Sequence, residues 1–234
     1  MNKAASALAC LLSSPAAMAG VVFQMETAIT GEEPQTLEIA VEGGNLAITG
    51  HADGGMVYRG RENAMLAISH SDRAYTVIDK QSVESIAKTI NPLLEQLERM
   101  PPEHRAQIER MMGAELPGKS GSPTQTEVIN TKRADEVSGF DCVWWEVEEN
   151  GIKLREMCVT PIGNIPDGDE VMSVVGSMSD FYEDVLAQFT ASFDFAMSGN
   201  PFADVNEMEG FPVKTRSFRG NALEAESVVK SATE

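Results

Sequence analysis

Residues 140–160 read FDCVWWEVEENGIKLREMCVT, and two strands joined by a turn are written into them. Phe140 to Glu148 and Ile152 to Thr160 are rich in aromatic and β-branched residues, with Glu149-Asn150-Gly151 between them. A three-residue hairpin loop with glycine in the left-handed conformation suits this segment. It pairs Glu148 with Ile152, and counting outward sets Cys142 opposite Cys158. A two-residue Asn-Gly turn would shift the register by one and take the cysteines out of opposition. A Cys142–Cys158 disulfide is therefore expected together with the longer loop, two buried free thiols being the alternative. Trp144 and Trp145 are adjacent on a strand and so face opposite sides of the sheet. One should enter the core, and the other should lie under a helix, at a groove or partly exposed.

Working outward, the same period recurs. Val21, Phe23 and Met25 alternate with Val22, Gln24 and Glu26, and Leu37, Ile39 and Val41 with Glu38, Ala40 and Glu42. Gly43-Gly44-Asn45 turns the chain, and Leu46 and Ile48 continue it. Short strands are expected at Met56 to Gly60, Ala64 to Ser69 and Ala74 to Ile78, and on the far side at Thr126 to Ala134. A closing hairpin runs over Phe211 to Arg219 and Ala222 to Ser231, turned at Gly220-Asn221. Alternation of this kind marks antiparallel sheet with one buried face.

Helical spacing interrupts the strands twice. From Asp79, a residue suited to an N-cap, apolar residues fall at Val83, Ile86, Ile90, Leu93, Leu94 and Leu97. Pro92 should kink that helix or restart it, Pro101-Pro102 should end it, and a second short helix runs from about Pro102 to Met112. Asp167 to Met197 reads as one long helix with a stripe of Val171, Val175, Met178, Tyr182, Val185, Phe189 and Phe193. Roughly eleven strands with segregated helices give an α+β domain. It is built on a curved antiparallel sheet or half-barrel, with helical insertions packed on one face.

The chain begins as exported proteins do. Lys3 precedes a short apolar run, Ala4 to Leu12, and Ala17-Met18-Ala19 offers a signal-peptidase site. Residues 1–19 are expected to be a signal peptide cut after Ala19, and residues 20–234 a single domain in the periplasm. Ala7-Leu8-Ala9 ahead of Cys10 fits a lipoprotein signal poorly. The run is too short to anchor the chain in a bilayer, and no later segment approaches spanning length. The formal net charge of −18 repels nucleic acid and anionic headgroups.

Motifs for chemistry are sparse. Gly113 to Ser120, GAELPGKS, matches a phosphate-binding loop letter by letter. That chemistry needs a strand before the loop and a helix after it, and here a helix precedes and Gly121-Ser122-Pro123 follows. His51, His70 and His104 lack metal-ligand spacing to one another, and no G-x-S-x-G elbow occurs. No catalytic residue, metal or cofactor is expected.

Five segments carry a resemblance: MVYRG (56–60), HSDRAYTVIDKQSVESI (70–86), MPPEHRAQIERMM (100–112), the stretch from Gly139 to Ile165 ending VTPIGNI, and MEGFPVKTRSF (208–218). They resemble an uncharacterised family of bacterial exported proteins, a domain of unknown function, which implies an envelope protein and no catalytic residue. The order of elements is similar, at the level of architecture, to periplasmic lipoprotein carriers of the LolA/LolB type. That likeness implies an eleven-stranded half-barrel with an apolar cavity.

Thirteen methionines, several on the helices, suit an adaptable apolar surface. The leading expectation is a non-enzymatic periplasmic protein. It would bind an apolar or lipid-like ligand between sheet and helices, lined by Ile86, Ile90, Leu97, Met178, Tyr182 and Phe189. A protein-interaction module of the envelope with no small ligand is the alternative, and an unrecognised hydrolase the third.

Overall fold

Alternating residues become strands wherever the sequence places them, and the strands find one common surface. The computed structural model describes residues 20–101, 103–104, 126–186, 188, 205, 208 and 210–234. The N-terminal strands are β1 (Val21–Ile29), β2 (Gln35–Glu42), β3 (Asn45–Thr49), β4 (Gly54–Arg59), β5 (Ala64–Ser69) and β6 (Ala74–Ile78). Helix α1 (Lys80–Glu98) follows, then β7 (Thr126–Val137), β8 (Phe140–Glu149) and β9 (Ile152–Pro161). Helix α2 (Gly168–Leu186) precedes β10 (Gly210–Arg219) and β11 (Ala222–Thr233). All eleven strands form a single sheet in the order β6-β5-β4-β3-β2-β1-β11-β10-β9-β8-β7. Every neighbouring pair is antiparallel.

The sheet is not closed into a barrel, because β6 and β7 are edges rather than neighbours. Register shifts lie in β1–β11, β7–β8, β8–β9, β10–β9 and β10–β11. Such bulges bend a strand and increase its twist, which curves the sheet. One of them coincides with Pro212, which has no N–H to donate. β10 pairs with β9 from Gly210 onward but with β11 only from Lys214.

Most of the core sits on one side of β1 to β5. Val21, Val41, Leu46, Tyr58 and Met65 pair in sequence across five strands, so their side chains form one row. Helix α2 buries Val171, Val174, Met178 and Phe181 in the same cluster, which also takes in Phe23, Trp144 and Phe211. Phe23 stacks on Phe211 at 4.9 Å, tying the two halves of the sheet together. A smaller cluster of Val147, Met157, Val159 and Met208 holds Trp145 against it. The two tryptophans thus separate to opposite faces, as their adjacency requires.

Helix α1 starts where Asp79 suggests. The Ser82 N–H donates to Asp79 Oδ1 at 2.7 Å, and the Asp79 N–H donates to Ser82 Oγ at 2.9 Å. These reciprocal bonds satisfy donors that the first turn leaves free. Pro92 lies inside the helix without ending it. The expected signal peptide, the rest of the second short helix, the GAELPGKS segment and the continuation of the long helix towards Met197 lie outside the described residues. No described helix is long and apolar enough to cross a membrane.

The cysteine hairpin departs from expectation in its register. Glu149 pairs with Ile152, so the loop is the two residues Asn150 and Gly151, at φ 51° and 76°. Asn-Gly favours two consecutive positive φ angles, and this preference wins over the three-residue loop. A register shift between Val147 and Glu148 then puts Trp144, not Cys142, opposite Cys158. The disulfide forms all the same, between Cα atoms 5.4 Å apart and 16 residues apart in sequence.

Replacing both cysteines by serine should cost about 2–4 kcal/mol, a range typical of a closed loop of this length. The low end is expected, since the hairpin keeps its turn and ladder without the bond. Urea denaturation of the double variant against the oxidised protein measures it, and an unchanged midpoint would show that the bond adds no stability.

Candidate functional site

Three places in the fold could carry function: the space between helices and sheet, a polar groove around Trp144, and the open edges of the sheet.

The first is crossed by several contacts among the described residues. Tyr58 donates its hydroxyl to the Ser177 carbonyl at 3.0 Å, and its ring lies 5.8 Å from that of Phe181. Burial, and then the Asp180 carboxylate, push the phenol above its ordinary range. The Gly44 N–H donates to Glu170 Oε1 at 2.9 Å, pinning the start of α2 to the β2–β3 turn. Asn91 on α1 donates to the Gln188 carbonyl at 3.2 Å. Among the described residues, α1 and α2 leave between them a cavity of about 50 Å³, lined by Asn63, Lys80, Val83, Phe181, Asp184, Val185 and Gln188.

The residues expected to line an apolar pocket scatter around this region. Met178 is fully buried in the core and Tyr182 half-buried against it. Ile90 is half-buried, while Ile86 is 49% exposed. The line of α1 that turns inward is Val83 and Ala87, so Ile86 and Leu93 fall on its outer side. The Leu97 side chain and Phe189 lie outside the described residues.

The second place is a groove of about 520 Å³ over β1, β11, β10, β8 and β7. Trp144 lies at its base with the guanidinium of Arg133 4.7 Å from the ring centre and that of Arg216 at 5.1 Å. Its indole N–H donates to Asp135 Oδ2 at 2.9 Å. That bond, with the Glu136 amide, holds Asp135 below the ordinary carboxylate range. Glu156, largely buried, accepts from Lys153 at 2.7 Å and has Arg216 at 3.6 Å and Arg133 at 4.0 Å. Burial pushes its carboxyl upward, but Lys153, Arg133 and Arg216 outweigh that and hold it below its usual value. Glu226 is likewise lowered against burial by Arg216 and Lys214. Lys230 pairs with Glu26 and Lys153 also with Glu146. Each of these cations has an anion within ion-pair distance, so among the described residues the groove is an ion lattice across neighbouring strands. Among the described residues, no cluster of three His, Cys, Asp or Glu could hold a metal.

The third place is the pair of edges, and the chain treats them differently. β7 is guarded. Its pairing breaks between Asn130 and Ala134, Lys132 adopts a positive φ of 57°, and Lys132, Arg133, Asp135 and Glu136 crowd its middle. Bulges and charges are the ordinary ways to stop an edge from recruiting another strand. β6, Ala74-Tyr75-Thr76-Val77-Ile78, has none of these: no charge, proline or bulge. Tyr75 is 65% exposed and Val77 41%. Their cross-strand partners are Ile68 and Leu66, so the four form an apolar patch on one face. Beside it lies a hollow of about 320 Å³, lined by Leu66, Ile68, Ser69, His70, Arg73, Ala74 and Tyr75. Among the described residues no strand pairs with the outer side of β6. Sequence reading found β6 as a strand but could not mark it as an edge, since that follows from the strand order.

No family model matches the chain. No curated protein matches it either. Among solved structures it is similar to a chain of the Pseudomonas aeruginosa MucA/MucB complex, at 9% identity and a TM-score of 0.36, over 92% of this chain and 51% of that one. This chain thus spans about half the length of that one, and a likeness of this degree carries no argument about function.

The ion lattice makes stability depend on acid. Glu156, Glu226 and Asp135 have folded-state pKa values below their ordinary ones, near 4.5 for glutamate and 3.8 for aspartate. The folded chain therefore binds fewer protons than the unfolded one in this range, and stability present at neutral pH is lost as pH falls through it. Asp167, raised by burial and by Glu170, opposes this as a single group. Urea midpoints should drop between about pH 5 and pH 3. Glu156→Gln should cost about 1–3 kcal/mol at neutral pH and flatten that acid dependence; a variant as acid-sensitive as the parent would remove Glu156 from the account.

Proposed function

We propose that the chain is a non-enzymatic protein-interaction module of the cell envelope, and that it takes up an extended segment along the outer side of β6. The observation that carries this reading is the asymmetry of the edges. One is broken by a bulge and loaded with charge, and the other is uncharged, in register and faced with exposed Tyr75 and Val77. An added strand would gain main-chain hydrogen bonds from the edge and side-chain contacts from the Leu66–Ile68–Tyr75–Val77 patch. The export pattern of residues 1–19 and the Cys142–Cys158 disulfide support a compartment outside the cytoplasm.

An apolar-ligand carrier is the weaker reading. Ligand pockets run to roughly 300–1,000 Å³, against about 50 Å³ between α1 and α2.

A photo-crosslinking amino acid at position 75, in intact cells expressing the chain, tests the docking edge. The control carries it at Thr126 on the guarded edge. A discrete adduct is expected from position 75, suppressed by Val77→Lys and missing from position 126. If position 75 yields no adduct while the chain is folded, or position 126 yields the same one, the reading fails.

A further inference from the structure

We infer that the segment occupying this edge is β6 of a second copy of the chain, antiparallel to the first about a twofold axis at Thr76. The inference rests on the reading of β6 as a docking edge and names its occupant. Its basis is the self-complementarity of residues 72–80, DRAYTVIDK. Laid antiparallel on itself with Thr76 facing Thr76, the strand sets Tyr75 against Val77 and Ala74 against Ile78. An aromatic residue beside a β-branched one is a favourable cross-strand pair. The four charges that flank the strand, Asp72 and Arg73 in the turn before it and Asp79 and Lys80 at the start of α1, sum to zero, so neither end brings a net charge of like sign to the other copy.

Neighbouring registers lose this match. Centring on Tyr75 sets Arg73 against Val77 and Asp72 against Ile78. Centring on Val77 sets Tyr75 against Asp79. A slip by one residue would bring Arg73 to Lys80 and turn the core face of one copy to the outer side of the other. Only the Thr76 centre pairs all five residues of β6 and keeps both core faces on one side.

Electrostatics points to the same segment. Two copies of a chain with net charge −18 repel one another. The stretch 72–80 is neutral overall, so the copies would meet where their mutual repulsion is locally relieved. The added strand also extends the exposed patch. Val77 of the second copy lies beside Tyr75 at the hollow lined by Leu66, Ile68, His70 and Arg73, and apolar faces that stand open in one copy become continuous across two.

The test uses the full chain carrying Cys10→Ser, with the native disulfide intact. Sedimentation across a concentration series should give a species of twice the monomer mass. Thr76→Cys should form an intermolecular disulfide under mild oxidation, since directly opposed residues bring their Cα atoms within about 4.5–5.5 Å. Tyr75→Cys should crosslink when mixed with Val77→Cys but not with itself. Val77→Lys should weaken the dimer at least about tenfold, equivalent to about 1.4 kcal/mol, without lowering the unfolding midpoint. A dimer that ignores Val77→Lys, or one with no crosslink at Thr76, overturns the inference. A chain that stays monomeric while position 75 photo-crosslinks to a protein of another mass overturns it and leaves the docking-edge reading standing. A monomer without any adduct from position 75 removes both.

Discussion

The pairing of β1 with β11 is the contact on which the rest of the structure depends. It runs from Val22 against Thr233 to Ile29 against Ala225, joining the two ends of the described chain at the middle of the sheet. Without it there would be two separate sheets, β1 to β6 and β7 to β11, each with an additional open edge. Closing so long a loop costs chain entropy before any contact returns it, and such a ladder forms late and slowly compared with the local hairpins. The Phe23–Phe211 stack and the shared core cluster supply the compensating burial, drawing residues from both halves. The same closure decides the edges: with β1 and β11 joined, β6 and β7 are the strands left at the ends.

The two sides of the curved surface are stabilised by different physics. Over β1 to β5 the row from Val21 to Met65 shares its buried cluster with residues of α2, and the gain is apolar burial. Over β8 to β11 the surface around Trp144 is an alternation of anions and cations, with Glu156 and Glu226 each shared between cations. Ion pairs of this partly buried kind return little net energy over an apolar replacement, yet removing one partner leaves a charge uncompensated. The lattice is therefore sensitive to single substitutions and to acid in a way that the apolar side is not. Trp144 belongs to both, its ring in the core cluster and its faces under two guanidiniums.

Local features were legible and relational ones were not. Alternation, β-branched and aromatic content and turn residues marked the strands, and Asp79 marked the start of α1, because each rests on a few adjacent residues. The cysteine pairing was legible although the register behind it was misjudged. Asn150-Gly151 prefers a two-residue turn, and the slip at Val147/Glu148 still brings the cysteines within bonding distance. Helix α1 carried more apolar positions than one face can hold, so spacing alone could not tell Val83 and Ala87, which are buried, from Ile86 and Leu93, which are not. The lattice around Trp144 had no sequence signal, since Lys214, Arg216, Glu226 and Glu156 become neighbours only once β9, β10 and β11 are in register. The openness of β6 was hidden for the same reason: a strand is an edge only by virtue of where the others go.

Seen from the edges, the acidity of the chain takes on a specific meaning. A net charge of −18 disfavours contact between copies over most of the surface. Charge of that kind acts as a general guard, and the bulge and mixed charges of β7 act as a local one. β6 is exempt from both, being uncharged itself and flanked by Asp72, Arg73, Asp79 and Lys80, whose charges cancel. An unguarded edge in a chain that otherwise guards itself is costly to keep, because it invites misassembly in every unfolded or partly folded copy. Its short length of five residues limits that hazard, and the turn bonds among Ser69, Ser71 and Asp72 at one end and the Asp79–Ser82 cap at the other fix where the strand starts and stops. A strand bounded at both ends offers a single length and a narrow choice of register to whatever pairs with it, which is the physical requirement for a specific contact rather than an adhesive one.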